Sequence, residues 1–317
     1  MIILYLLVFA LLCFALIKSG EVLVKVLMKL SQFFRATEFV LAFILITLAT
    51  TLPELVVGVM SGIRNNSVIS LGNVIGANFI NLTFVLGLVA VIGKGVKVET
   101  KIVKRDAWII FFVALLPLLL LFDKRLSRAE GFLLLIVFGW YVWHLLKSKE
   151  AFKHRVHSIF HDITGFEKFL KTFLFFLAAA AILILSAWGL VEIAKLVAVE
   201  LYVPLALVSV ILVAFGTSLP EMVFGIKAAV LKHEGMCLGN LIGAVVVNST
   251  FILGLTALIS PIQIENFNAI LIGGFFMMLA ILLANIFLSS GRRVSVKEGW
   301  ILIGFYALFL IAEFLFK

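Results

Sequence analysis

Apolar runs of sixteen to twenty-seven residues alternate with short polar stretches along the whole chain. Such runs match the roughly 20 apolar residues that a helix needs to cross a hydrocarbon layer about 30 Å thick. The pattern predicts about ten membrane-spanning helices, near 2–22, 38–62, 70–92, 107–122, 130–146, 171–197, 204–230, 237–260, 267–288 and 299–316. The first run has neither a basic start nor a small-residue cleavage site, so it reads as a retained helix. The expected fold class is therefore all-α, a polytopic membrane protein.

Superimposed on this pattern is a repeat. Thr50-Thr51-Leu52-Pro53-Glu54 returns as Thr217-Ser218-Leu219-Pro220-Glu221, and Leu71-Gly72-Asn73-Val74-Ile75-Gly76-Ala77 returns as Leu238-Gly239-Asn240-Leu241-Ile242-Gly243-Ala244. Asn81 returns as Asn248, again 167 positions on, and 22 of the 49 positions from Ile44 to Ile92 are identical to their counterparts. That is far above chance for internal similarity. The chain divides into a first half, 1–146, a polar linker, 147–170, and a second half, 171–317, with the repeated segments near 38–92 and 205–260. Five helices per half is an odd number, so the second half enters the membrane the opposite way round. The expected plan is two inverted-topology repeats of five helices.

Composition sharpens this. The 317 residues are 64% hydrophobic, with a mean hydropathy of +1.24, outside the range of soluble globular chains. The net charge of +9 would suit nucleic acid, but its distribution argues against that partner. With the N-terminus outside, twenty Lys and Arg fall in or beside inner loops, including Lys94, Lys97, Lys101, Lys104 and Arg105; only Arg64, Lys124, Arg125, Arg128, Lys195 and Lys317 fall outside. This bias places both termini outside, and the basic inner loops suit an anionic lipid leaflet. Cys13 and Cys237 form neither a disulfide framework nor a metal spacing.

The repeated motif carries the chemistry. Glu54 and Glu221 each lie in an otherwise apolar span, where an acid costs several kcal/mol unless something pairs with it. Pro53 and Pro220 lack an N–H, which frees carbonyls one turn earlier, near Ala49 and Gly216. Thr50, Thr51, Thr217 and Ser218 offer hydroxyls within a helical turn of the acids, and Asn81 and Asn248 offer amide oxygens from the next span. Calcium takes six to eight such oxygens, and two carboxylates would neutralise one Ca2+. No His or Cys falls in the motifs, which disfavours zinc, copper and iron. The spacings Gly72 to Gly76 and Gly239 to Gly243 allow close helix approach, a packing role. Asn73 and Asn240 are as well suited to a supporting interhelical hydrogen bond as to coordination.

These paired segments resemble the two alpha-repeats of the calcium/cation antiporter superfamily, and look most like its prokaryotic sodium/calcium exchanger membrane proteins. The resemblance implies ten helices with inverted halves, a cation site between the second, third, seventh and eighth, and long first and sixth helices that slide. It implies Glu54 and Glu221 as central acidic ligands, with Thr50, Thr51, Thr217 and Ser218 giving hydroxyl and carbonyl oxygens. It further implies Asn81 and Asn248 flanking the centre, and backbone carbonyls of Thr47 and Ala214 reaching a sodium ion. This chain departs from the pattern in having Asn248 where many sodium-coupled members carry Asp. It also has Ala77 and Ala244 where they often carry Ser.

The expectation is a secondary active antiporter, not an enzyme, moving Ca2+ against Na+ across the cell membrane with no cofactor and no obligate protein partner. Exchange of Ca2+ for protons stays open, because a carboxylate pair can release protons on binding metal. Other divalent cations stay open as well. A Glu54/Glu221 protease dyad is the remote alternative, but it leaves the duplicated Pro and Thr unexplained. His154, His157 and His161 could share a helical face, either as a metal or pH-sensing cluster or as a solvated turn. Lys227 is expected to snorkel to water.

Overall fold

The computed structural model describes residues 2–30, 46–97, 101–147, 166–264, 267–290 and 293–315. The expected region around His154, His157 and His161, and the start of the run expected at 38–62, lie outside these residues.

The fold is all-α. Helix α1 is Ile2–Leu30, longer than the apolar run at its start. A short α2, Thr47–Thr50, leads into α3, Leu52–Ile63. Helix α4, Val68–Ile80, passes through a π-helical stretch, Asn81–Val85, into α5, Leu86–Ile92. Helices α6, Lys101–Leu120, and α7, Arg128–Lys147, complete the first half.

The second half opens with α8, Phe166–Glu200. A broken run follows: α9, Leu205–Val208, a π-helical stretch, Ser209–Val213, α10, Ala214–Thr217, and α11, Leu219–Val230. Helix α12, Glu234–Val246, again passes through a π-helical stretch, Val247–Ile252, into α13, Leu253–Ile259. Helices α14, Phe267–Ser290, and α15, Val296–Leu315, close the chain. By length and composition, Val68–Ile92, Ala181–Glu200, Glu234–Ile259 and Ile270–Ser289 can each cross a membrane, and the pair Leu205–Thr217 and Leu219–Val230, bent by 42°, makes a fifth candidate.

Large apolar side chains such as Phe122, Ile3, Leu11 and Trp300 cover the outside, while polar side chains gather within. Lipid supplies no hydrophobic force between helices, so small residues and buried polar groups set the packing. A Cβ on Gly87 would stand 2.7 Å from the Gly299 carbonyl oxygen, and one on Gly131 would stand 2.8 Å from that of Gly254. Those crossings, α5 on α15 and α13 on α7, are equivalent contacts, and each joins one half to the other. Helices α7 and α15 also begin alike. Ser127 and Glu130 form a capping box (Oγ to Oε2, 2.7 Å), as do Ser295 and Glu298 (2.7 Å).

Two short ribbons join the halves: Val96–Lys97 (β1) pairs with Arg293–Val294 (β4), and Arg125–Leu126 (β2) with Ile262–Gln263 (β3), both antiparallel. Helix α1 packs along α8, with Phe9, Cys13 and Leu16 in one buried cluster with Leu183, Ala187, Leu190 and Ala194.

Candidate cation site

Each acid stands just past a helix break. The breaks fall at Thr51 (φ −81°, ψ 4°) and Ser218 (φ −80°, ψ 0°), with the proline within the first two positions of the helix that follows. Proline is well accommodated there because the first N–H groups of a helix have no intrahelical partner. The duplicated Pro-Glu therefore produces the same broken helix twice, at the same dihedral angles. Across each break the chain stays bonded: Thr51 N–H donates to the Thr47 carbonyl (2.8 Å) and Ser218 N–H to that of Ala214 (3.0 Å).

Glu54 and Glu221 are both 0% exposed. Their carboxylates lie within electrostatic reach of one another, Glu54 beside Thr217 and Glu221 beside Thr50. The hydrogens of those two hydroxyls go elsewhere. Thr217 donates to Asn73 Oδ1 at 3.0 Å, and Thr50 to Asn240 Oδ1 at 3.1 Å. Asn73 and Asn240 thus make the supporting interhelical bonds, each half's asparagine holding the other half's threonine. The four oxygens of the two acids accept no hydrogen bond among the described residues.

The flanking asparagines lie on elements packed against those that hold the acids. The stretch beginning at Asn81 packs on α11, which holds Glu221, and the stretch containing Asn248 packs on α3, which holds Glu54. Both asparagines are fully buried. The Thr47 carbonyl accepts the Thr51 hydroxyl and N–H; the carbonyls of Thr47 and Ala214 also lie 3.2 Å and 3.3 Å from the Thr50 and Thr217 hydroxyls, as second, longer acceptors that share the one hydrogen of each. Among the described residues, ten buried polar atoms without a hydrogen-bond partner belong to Glu54, Glu221, Asn73, Asn240, Asn81, Asn248 and Ser218. A buried polar atom left unpaired costs on the order of 1–3 kcal/mol, and more when charged. Seven of these atoms are oxygens and three are amide nitrogens, and such a concentration of unpaired groups around one carboxylate pair calls for an explanation.

Gly72, Gly76 and Gly243 stand where helices approach closely. A Cβ on Gly72 would meet Ser209 Cβ at 2.7 Å, one on Gly76 would overlap the Val210 carbonyl, and one on Gly243 would overlap Thr47. They press α4 and α12 against the two broken runs and so bring Asn73 and Asn240 within reach of the threonines. Lys227 is exposed on the surface of the bundle.

Unduplicated residues escaped the sequence reading. Asn78, whose counterpart is Val245, bonds Ser249 (2.8 Å) and Asn248 (3.1 Å). Ser70 and Thr256 share a hydrogen bond of 2.9 Å beside Gly58, where the other half has Cys237 and Val89 beside Gly225. Glu192 bridges Arg64 (3.3 Å) and Lys195 (3.3 Å). A polar residue within an apolar span was the available signal for Asn78.

A polytopic helical bundle with a buried, duplicated acid pair defines a membrane cation transporter. The sodium/calcium exchanger protein family model matches residues 4–147 and 171–315, so the chain belongs to that family. Sodium/calcium exchanger MaX1 of Methanosarcina acetivorans is 27% identical over 335 residues, covering 94% of this chain and 95% of that protein. Putative antiporter CaxA of Alkalimonas amylolytica is 28% identical over 273 residues, 82% of each chain. The solved sodium-calcium exchanger NCX_Mj superposes with a TM-score of 0.68 at 23% identity, covering 98% of this chain and 99% of its own, and shares the fold.

Proposed function

We propose that the protein is a secondary active antiporter that exchanges Ca2+ for Na+ by alternating access, with Glu54 and Glu221 binding Ca2+ directly. The observation that carries this is the pair of buried carboxylates whose oxygens accept no hydrogen bond among the described residues. Two charges of −1 match one Ca2+, and Thr50, Thr51, Thr217, Ser218, Asn81 and Asn248, with the carbonyls of Thr47 and Ala214, supply the hard oxygens such an ion takes.

Ten crossings in two inverted halves, 1–146 and 171–317, fit the ribbons. Residues 125–126 lie between the fourth and fifth expected spans, and residues 262–263 between the eighth and ninth. In a parallel repeat those loops would sit at opposite ends of the bundle, yet they pair. The inner-loop excess of basic residues puts both termini outside the cell membrane. Cys13 of α1 reaches Gly216, beside Thr217, so a shift of the α1–α8 pair would cover or uncover the acids, and one site would serve both faces in turn.

A second reading, exchange of Ca2+ for protons, draws on Ala77, Ala244 and Asn248, which leave fewer oxygens and one fewer charge for several sodium ions. Ca2+ uptake into proteoliposomes, with a sodium gradient or a pH gradient imposed, separates the two. A sodium gradient should drive uptake, and Glu54→Gln or Glu221→Gln should abolish it in protein that still folds. Wild-type flux in either variant refutes the site, and flux that ignores both gradients indicates a channel.

A further inference from the structure

We propose that Asn78 is a positioning residue that fixes which atom of Asn248 faces the transported cation. The proposal rests on the exchange reading above and deepens it at one ligand. An asparagine amide has an oxygen end that attracts a cation and an NH2 end that repels it, and the two ends have nearly the same shape. An asparagine serves as a dependable ligand only if its neighbours decide the orientation.

At Asn248 they do, through a chain of three contacts. Met277 Sδ lies 3.7 Å from Asn78 Nδ2. A thioether sulfur accepts but cannot donate, so it selects the NH2 end of Asn78. The same NH2 group donates to Ser249 Oγ at 2.8 Å. With its nitrogen committed to that side, Asn78 presents Oδ1 to Asn248 and accepts from Asn248 Nδ2 at 3.1 Å. The NH2 end of Asn248 is thereby tied back. The atom left over, Asn248 Oδ1, is buried and has no partner among the described residues.

The other flank lacks this device. Asn81 has no hydrogen-bond partner among the described residues at either amide atom, and the positions matching Asn78 and Ser249 hold Val245 and Leu82. The two-fold pattern of the site is thus broken at one flank: Asn248 is tied at its NH2 end, and no hydrogen bond among the described residues orients Asn81.

The test is a double-mutant cycle read by Ca2+ binding to purified protein in sodium-free buffer. Asn78→Val, which installs the side chain present at position 245, should raise the Ca2+ dissociation constant about five- to tenfold, the scale of one net hydrogen bond. In an Asn248→Asp background the same change should move it less than about twofold, because both carboxylate oxygens accept and orientation no longer matters. An equal loss in both backgrounds, as a purely structural role would give, overturns the proposal, and so does no loss in the native background. If Asn78→Val does not fold, Met277→Leu with Ser249→Ala removes both acceptors that orient Asn78 and should reproduce the same background dependence; equal effects in the two backgrounds again overturn it. Wild-type protein that binds no Ca2+ refutes the exchange reading itself, and this proposal with it.

Discussion

Gly72→Ala is the sharpest probe of how the site is assembled. The new Cβ would lie 2.7 Å from Ser209 Cβ and 2.9 Å from the Ala206 carbonyl oxygen. Carbon atoms rest at roughly 3.5 Å or more, so α4 and the run starting at Leu205 would have to part by about 0.8 Å. Asn73, the next residue, holds Thr217 across this interface at 3.0 Å. A separation of that size stretches the bond to about 3.8 Å, beyond hydrogen-bonding distance. Overpacking costs about 1–3 kcal/mol, and the stranded buried pair adds on the order of 1 kcal/mol or more. Alanine's better helix propensity returns only about 0.5–1 kcal/mol. The net loss is about 2 kcal/mol. Gly304→Ala is the control, because a Cβ there meets nothing within 4 Å, and only the propensity gain remains. Thermal unfolding in detergent should show Gly72→Ala melting several degrees lower and Gly304→Ala level with or above wild type. A 1 Å misplacement of a working group costs about a hundredfold in enzymes, so Ca2+ flux in Gly72→Ala should fall between tenfold and a hundredfold. If the two variants behave alike in melting and flux, the close approach along Gly72 and its hold on Thr217 are refuted.

Thr217→Val and Thr50→Val should weaken Ca2+ binding to similar extents, since each strands the opposite half's asparagine; titration of both variants checks this, and a large disparity would contradict the exchanged pairing. Arg64→Ala removes an ion pair whose side chains are about one-third exposed, so unfolding measurements should show a change below about 1 kcal/mol that shrinks further in high salt. Ser295→Ala opens the capping box of α15 and should cost about 1 kcal/mol of stability, with Ser127→Ala costing the same at α7.

The sequence alone determined the helical membrane class, because apolar runs of spanning length have few other stable arrangements in lipid. It also determined the acids and their company, because duplication separates a purposeful Thr-(Thr/Ser)-Leu-Pro-Glu from an accidental one. The break at each proline was legible for the same reason: a missing N–H is a local property. Tertiary structure decided what no repeat could carry. Whether Asn73 and Asn240 coordinate or support depended on which partner stood opposite, and Gly72, Gly76 and Gly243 place the partner run so near that each asparagine meets the other half's threonine. The bridge from Arg64 to Glu192 joins residues far apart in sequence, so no local pattern announces it. The orientation of Asn248 depends on Asn78, Ser249 and Met277, none of which recurs at the offset of 167. Hydrogen-bond direction is set by the atoms that surround an amide in space, and only the packed bundle brings those atoms together.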